Sequence, residues 1–189
     1  MKYLRSFFPK SVLVTILVAL TSFAFVAQAE EQTPWQDLSV NSSLQTNMMW
    51  PGYNTGFEFT VLADGAITQL GGFFNGLQTV RLYRIPETSS IRQVDVSDSN
   101  NWSYANITPL QVSAGERYTV AVQTGFSFST SIAGAGPSFP NLPQAINDIR
   151  VDGPVFTMNN SIERPTWGLH GQMWGQPDIV FVPGEVVIQ

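Results

Sequence analysis

The chain has 189 residues, no cysteine and one histidine, and its acidic residues outnumber its basic residues by fourteen to nine. The missing cysteines exclude disulfides, thiol nucleophiles and thiolate zinc sites, and a single histidine excludes a multi-histidine metal centre. Three of the nine basic residues lie within the first ten positions, so the remainder carries six arginines against fourteen acids, a net charge of −8. An acidic surface repels phosphate backbones and anionic lipids, which argues against nucleic acid or a membrane surface as the partner.

The first predicted element is a cleavable signal peptide over residues 1–29. Its basic start precedes an apolar run at residues 11–26, and Ala27 and Ala29 supply the small residues of a cleavage site. This order is typical of a secretory signal, and the apolar run is shorter than the ~20 residues that cross a bilayer. We therefore expect cleavage before Glu30, no membrane span in the mature chain, and a secreted or periplasmic location.

A polar lead-in over residues 30–55 is expected to be extended, with an edge strand near residues 38–40. From residue 56 the chain shows the period-two alternation of half-buried strands, with the aromatic residues of the segment 56–61 on one face. The pair Asn75-Gly76 predicts a two-residue hairpin turn, because both residues tolerate positive φ. The polar residues 97–101 are expected to form a loop.

Further alternating segments, separated by turn signals, continue to the end of the chain. Pro109 indicates an edge or irregular strand, because proline cannot donate to a sheet ladder. No segment shows sustained helical periodicity, and about eight or nine short strands predict an all-β fold, a two-sheet antiparallel sandwich of jelly-roll type over residues 56–189. The predicted strands are residues 66–74, 77–83, 91–96, 107–112, 117–122, 149–151, 155–158 and 178–182.

Several of these strands together resemble the domain-of-unknown-function 4082 family of exported bacterial sandwich domains. The similar segments are residues 56–60 (GFEFT), 64–74 (DGAITQLGGFF), 80–83 (VRLY), 109–120 (PLQVSAGERYTV) and 177–181 (PDIVF). The family usually ends the third segment in Trp, where this chain has Tyr. The resemblance implies a β-sandwich attached to carbohydrate-active or surface proteins, and it implies no defined chemistry and no residue-level site.

Tryptophans beside predicted loops are the main candidates for ligand binding. Sugar rings present apolar C–H faces that stack on exposed aromatic rings, while amide and imidazole groups can fix hydroxyls. The same tryptophans also fit an ordinary strand pair, since Trp is often largely buried. The candidate ligand-binding residues are Trp102, Trp167, His170, Gln172 and Trp174.

One predicted loop carries oxygen ligands of the kind that Ca²⁺ prefers. Asp95, Asp98 and Asn100 supply them, although their spacing does not match an EF-hand loop. Loops rich in Asp and Asn also commonly satisfy their own backbone. Calcium is therefore the one cofactor that the sequence suggests.

The sequence gives little support for catalysis. It contains no G-x-S-x-G elbow, no HExxH motif and no P-loop. A carboxylate pair for glycoside hydrolysis leaves no sequence mark, because its members come from separate strands. We expect no catalytic residue, and Glu58 and Glu163 are the first carboxylates to check.

Three functional hypotheses remain open. The leading one is an exported, non-catalytic sandwich domain that acts as an interaction module at the cell surface or in the extracellular matrix. The second is a carbohydrate-binding module that uses the loop tryptophans. The third is a subunit of an extracellular assembly, in which an edge strand such as residues 178–182 pairs with a partner. All three place a glycan or protein partner outside the cytoplasm, and the third makes the protein an oligomer.

Overall fold

The computed structural model describes residues 29–39, 45–48, 52–123, 131–134, 142–158, 161–168 and 177–184, so the predicted signal peptide lies outside the described residues up to residue 28. Within these ranges the chain forms one helix and ten strands. They are α1 (Pro34–Ser39), β1 (Gln45–Met48), β2 (Asn54–Val61), β3 (Gly65–Arg84), β4 (Arg92–Val112), β5 (Arg117–Gln123), β6 (Ser131–Gly134), β7 (Gln144–Ile146), β8 (Ile149–Thr157), β9 (Trp167–Gly168) and β10 (Pro177–Pro183).

Two antiparallel sheets pack as a sandwich, which confirms the predicted fold class. The long strands β3 and β4 run through both sheets. In sheet I, the beginning of β3 pairs with β10 and with the end of β4. In sheet II, the end of β3 pairs with the beginning of β4 and with β5, and β2 and β8 follow beyond β5.

The core between the sheets contains the residues that the alternating pattern predicts. Phe57, Phe59 and Val61 on β2 are fully buried. Trp35 of α1 is also fully buried and stacks on Phe57 with ring centroids 5.5 Å apart. Because α1 packs against β10 of sheet I and against β7 and β8 of sheet II, the helix closes one side of the sandwich.

The predicted hairpin at Asn75-Gly76 is wrong, because β3 continues through both residues. The pairing of β3 with β4 shifts register between Phe74 and Asn75, and Gly76 has a φ of +91°. A bulge of this kind bends a strand without reversing it. The Asn-Gly pair therefore turns β3 from sheet I into sheet II, and the chain reverses later, at residues 85–91.

The predicted polar loop at residues 97–101 is also wrong, since these residues belong to β4. They pair with the part of β3 that surrounds Asn75-Gly76. The prediction for Pro109 is confirmed within the described residues: β4 pairs with β3 alone, and residues 107–109 stand opposite Thr68 in a register irregularity. An edge strand tolerates both the polar run and the proline, because one of its sides needs no partner strand.

The predicted edge strand at residues 38–40 is wrong up to Ser39, where α1 ends, and Val40 lies outside the described residues. Pro34 suits the first helical position because its fixed φ is already helical. The two carboxylate oxygens of Asp178 accept hydrogen bonds from the backbone N–H groups of Trp35 (3.0 Å) and Gln36 (2.9 Å). A side chain far along the chain thus caps the helix.

Asp178 is fully buried and lies at the beginning of β10. Besides the two helix donors, its carboxylate accepts the Tyr104 hydroxyl (2.9 Å) and its neighbour's backbone N–H, that of Ile179 (2.9 Å). Burial raises the pKa of Asp178 to about 7, although the backbone donors and Tyr104 oppose the shift.

The six-residue α1 is too short to span a membrane, and no helix among the described residues is long and apolar enough to do so.

Candidate functional site

Trp167 is an exposed aromatic residue at the end of sheet II where β2 begins and β8 ends. The short strand β9 places it opposite Phe156 at the sheet edge. The indole is 52% exposed and meets the Phe156 ring edge-on, with centroids 5.5 Å apart and an interplanar angle of 86°. This edge-to-face contact fixes the indole while about half of its surface stays in solvent.

Tyr53 extends the aromatic surface from the other side of Phe156. The two ring centroids lie 6.3 Å apart at an angle of 37°. We call Tyr53, Phe156 and Trp167 the Trp167 patch. The same excursion of the chain between β8 and β9 also exposes Met158 and Ile162. Exposed apolar side chains grouped in this way commonly mark an interaction surface.

Residues 161–166, which we call the strap, connect the Trp167 patch to the rest of sheet II. The strap crosses the face of the sheet that points away from the core. The Tyr83 hydroxyl donates to the carbonyl oxygen of Ile162 (2.7 Å), and the Asn54 side-chain amide donates to that of Glu163 (2.7 Å). Both Tyr83 and Asn54 are fully buried, and burial raises the pKa of Tyr83.

Arg164 connects the strap to the loop between β3 and β4 and to Glu58 on β2. Its backbone N–H donates to the carbonyl oxygen of Thr88 (2.9 Å), and its guanidinium donates to that of Glu87 (3.0 Å). The guanidinium also pairs with the Glu58 carboxylate at 3.0 Å, and its side chain is 11% exposed. The other Glu58 oxygen pairs with Arg117 at 3.1 Å. Glu58 therefore holds two arginines in place through ion pairs.

The contacts of Arg164 lead to a first prediction. Replacing Arg164 with alanine should loosen the strap and β9 by about 1–2 kcal/mol, because a largely buried ion pair and its hydrogen bonds are lost while Glu58 keeps Arg117. Amide hydrogen exchange should accelerate in residues 161–168 and remain slow in β2 and β5. Arg150→Ala is the matched control, since Arg150 pairs with Asp152 on the same face and its side chain is 42% exposed, against 11% for Arg164. Equal acceleration in both variants would contradict the role given to Arg164.

A separate recess of about 330 Å³ lies at the opposite end of β5. It is lined by Arg84, Ile85, Gly115, Glu116 and Arg117. Arg84 pairs with Glu116 at 3.5 Å and lies over the Tyr118 ring, and burial is the main cause that raises the pKa of Tyr118 to about 12. Both arginines of the recess have carboxylate partners, since Arg84 pairs with Glu116 and Arg117 pairs with Glu58.

The structure describes two of the predicted ligand-binding residues, Trp102 and Trp167, and places them on different strands. Trp167 is exposed at the sheet edge, whereas His170, Gln172 and Trp174 lie outside the described residues. Trp102 lies on β4, where it is half-buried between Phe73 (5.8 Å, edge-on) and Tyr104 (6.4 Å, stacked). The placement of Trp102 beside a loop is therefore corrected, because residues 97–104 are strand.

The predicted calcium ligands lie on β4. Asp95 accepts a hydrogen bond from the hydroxyl of Thr79 on β3 (2.6 Å). Asp98 and Asn100 have backbone positions in the same strand, and their side chains lie outside the described part. Among the described residues no three His, Cys, Asp or Glu side chains lie close enough together to hold a metal. The calcium site stays a prediction, without the loop on which it was based.

Sequence reasoning missed Tyr53 and Phe156 as parts of the candidate site. Phe156 reads as one more strand residue, and Tyr53 falls in the polar lead-in. They meet Trp167 only through the pairing of β2 with β8 and of β8 with β9. Comparison with protein-family models, with curated proteins and with solved structures finds no match to this chain.

Proposed function

We propose that the chain is an exported, non-catalytic interaction module whose ligand binds at the Trp167 patch. The observation that carries the proposal is the 52% exposure of an indole whose orientation Phe156 fixes. Large aromatic side chains with solvent-exposed surface are the residues that most often anchor a ligand or partner. The patch lies at the edge of a sheet, where backbone pairing supports it.

A glycan is the ligand class that fits this surface best. Stacking on an aromatic ring suits the apolar C–H face of a sugar, and polar groups around the ring then fix its hydroxyls. The sequence that follows Trp167 supplies His170 and Gln172 as such groups, together with a second indole at Trp174.

The strap supports the proposal by holding the patch in place before a ligand arrives. Ile162 and Glu163 are bonded to side chains of sheet II through their carbonyl oxygens, and Arg164 is bonded to Glu58. A preorganised surface loses less conformational entropy on binding than a mobile loop does. These contacts also give Glu58 a structural task, which favours a binding role over a catalytic one.

Replacing Trp167 with alanine should weaken glycan binding by about 2 kcal/mol, or roughly 30-fold, because truncating an aromatic anchor removes most of its contact area. The measurement is a broad glycan array with and without Ca²⁺ on the protein recovered after export, followed by titration of the best ligand under tryptophan fluorescence. Leu77→Ala is the control, because Leu77 is 66% exposed on β3 and its truncation also removes exposed apolar surface.

A glycan that binds the Trp167→Ala variant as tightly as the wild type would disprove the Trp167 patch as its site. An array without any specific ligand would disprove the glycan class, and release of a cleaved product from a bound glycan would disprove the non-catalytic role.

A further inference from the structure

The two edges of sheet I differ in whether another segment of the chain forms hydrogen bonds with the edge strand. At β10, the backbone N–H of Gln32 donates to the carbonyl oxygen of Phe181 (2.8 Å), and the N–H of Phe181 donates back (2.9 Å). Asp178 on the same strand caps α1. The N-terminal segment therefore pairs with the β10 edge at Phe181, within the residues 178–182 that the sequence offers to a partner.

The opposite edge, formed by β4, is open in the described part of the chain. β4 pairs with β3 along its length, and no other described strand lies beside it. Asn101, Asn106 and Thr108 on this strand are exposed. An unpaired edge presents a row of backbone donors and acceptors to any extended segment of suitable register.

Few of the usual protective devices occur on this edge. Natural edge strands are shielded by charged side chains, lysine above all, or by proline and bulges. Residues 101–112 contain no charged side chain, and the chain has no lysine after Lys10. Pro109 and Arg92, whose Nε donates to the carbonyl oxygen of Thr108 (3.0 Å), protect only the final part of the strand. Residues 101–107 carry neither a charge nor a proline, and the register shifts opposite Asn75 and Thr68 lie at the two ends of this segment.

We propose that residues 101–107 of β4 pair with the same residues of a second copy of this chain. When residues 101–107 pair antiparallel with their own copy about a two-fold axis, Tyr104 stands opposite Tyr104, and each other residue stands opposite a different residue of the same segment. No charged side chain of the segment is then brought against another. The mature chain carries a net charge of −8, so most of its surface repels another copy, but this edge is neutral. The aromatic and β-branched residues on the edge also favour cross-strand contacts.

The proposal is tested by sedimentation velocity of the protein recovered after export, over low to high micromolar concentrations. We expect the wild type to reach about twice the monomer mass, as a two-fold dimer requires. The double variant Asn101→Lys and Asn106→Lys should remain monomeric, because lysine side chains on an edge strand oppose its pairing with another strand. Ser89→Lys, at an exposed loop position outside both sheets, should dimerise as the wild type does.

A wild type that stays monomeric at the highest concentration would overturn the proposal. A dimer that persists in the double Lys variant would also overturn it, because the contact would then lie on another surface.

Discussion

Replacing Trp35 with alanine should lower the free energy of unfolding by about 3–5 kcal/mol, among the largest losses expected from one substitution in this chain. Trp35 is fully buried and stacks on Phe57 between the sheets. A six-residue helix does not sustain itself in water. The indole is therefore the main apolar contact that holds α1 against the sandwich, and its loss would leave a large cavity.

Urea unfolding, followed by circular dichroism, measures the loss. Trp167→Ala is the matched control, because it makes the same chemical change at a site that is 52% exposed, where a surface substitution should change stability by about 0.5 kcal/mol or less. A Trp35→Ala variant as stable as Trp167→Ala would show that α1 contributes little to the fold, contrary to its place in the core.

The alternating pattern of β2 was sufficient to predict which of its own side chains enter the core. Phe57, Phe59 and Val61 are buried as expected, and Glu58 points away from the core into ion pairs. This success has a physical cause, because a strand covered on one face must bury every second residue. The burial of a whole sheet face thus leaves a periodic trace in the sequence.

The Asn75-Gly76 prediction failed because a local turn preference competes with tertiary pairing. The residues after Gly76 pair with the beginning of β4 and with β5 as β3 enters sheet II. The positive φ of Gly76 is used in a bulge. The local pattern cannot tell a turn from a bulge, since both need a residue that tolerates this conformation.

The candidate site was half predicted for a similar reason. Trp167 was singled out by its residue type and by its place beside a predicted loop. Its partner Phe156 comes from β8, and its partner Tyr53 precedes β2. The strap depends on the side chains of Tyr83, which reads as an ordinary strand residue, and of Asn54, which falls in the polar lead-in. Contacts between distant segments of the chain leave no periodic pattern in the sequence.

The buried carboxyl of Asp178 should make the stability of the protein fall as pH rises. Its pKa is raised from the ordinary value of 3.8 to about 7, chiefly because burial disfavours the charged form. In the unfolded chain the group loses its proton near the ordinary value, whereas the folded protein keeps the proton until about pH 7. Between these values the unfolded state binds fewer protons, so its free energy falls with rising pH relative to the folded state.

The expected loss is roughly 4 kcal/mol across this window, since each unit of pKa difference corresponds to about 1.4 kcal/mol. The loss begins near pH 4 and is complete above about pH 7. The nearby Tyr104 does not interfere, because its pKa is raised, first by burial and then by the charge of Asp178. Tyr104 therefore stays neutral throughout the window.

Asp178→Asn is the substitution that isolates this effect, because asparagine does not titrate. At every pH the variant should be less stable than the protonated wild type, since its amide N–H₂ replaces an acceptor that faces backbone donors of α1. Urea unfolding of both proteins from pH 4 to pH 8 measures the difference. The advantage of the wild type should be largest near pH 4 and should shrink as pH rises to about 7.

The control is Asp95→Asn, at an exposed position on β4. This variant retains Asp178, so its stability should fall with rising pH as steeply as that of the wild type. Parallel stability curves for wild type and Asp178→Asn would mean that Asp178 is already ionised in the folded protein near pH 4, and that the four donors outweigh its burial.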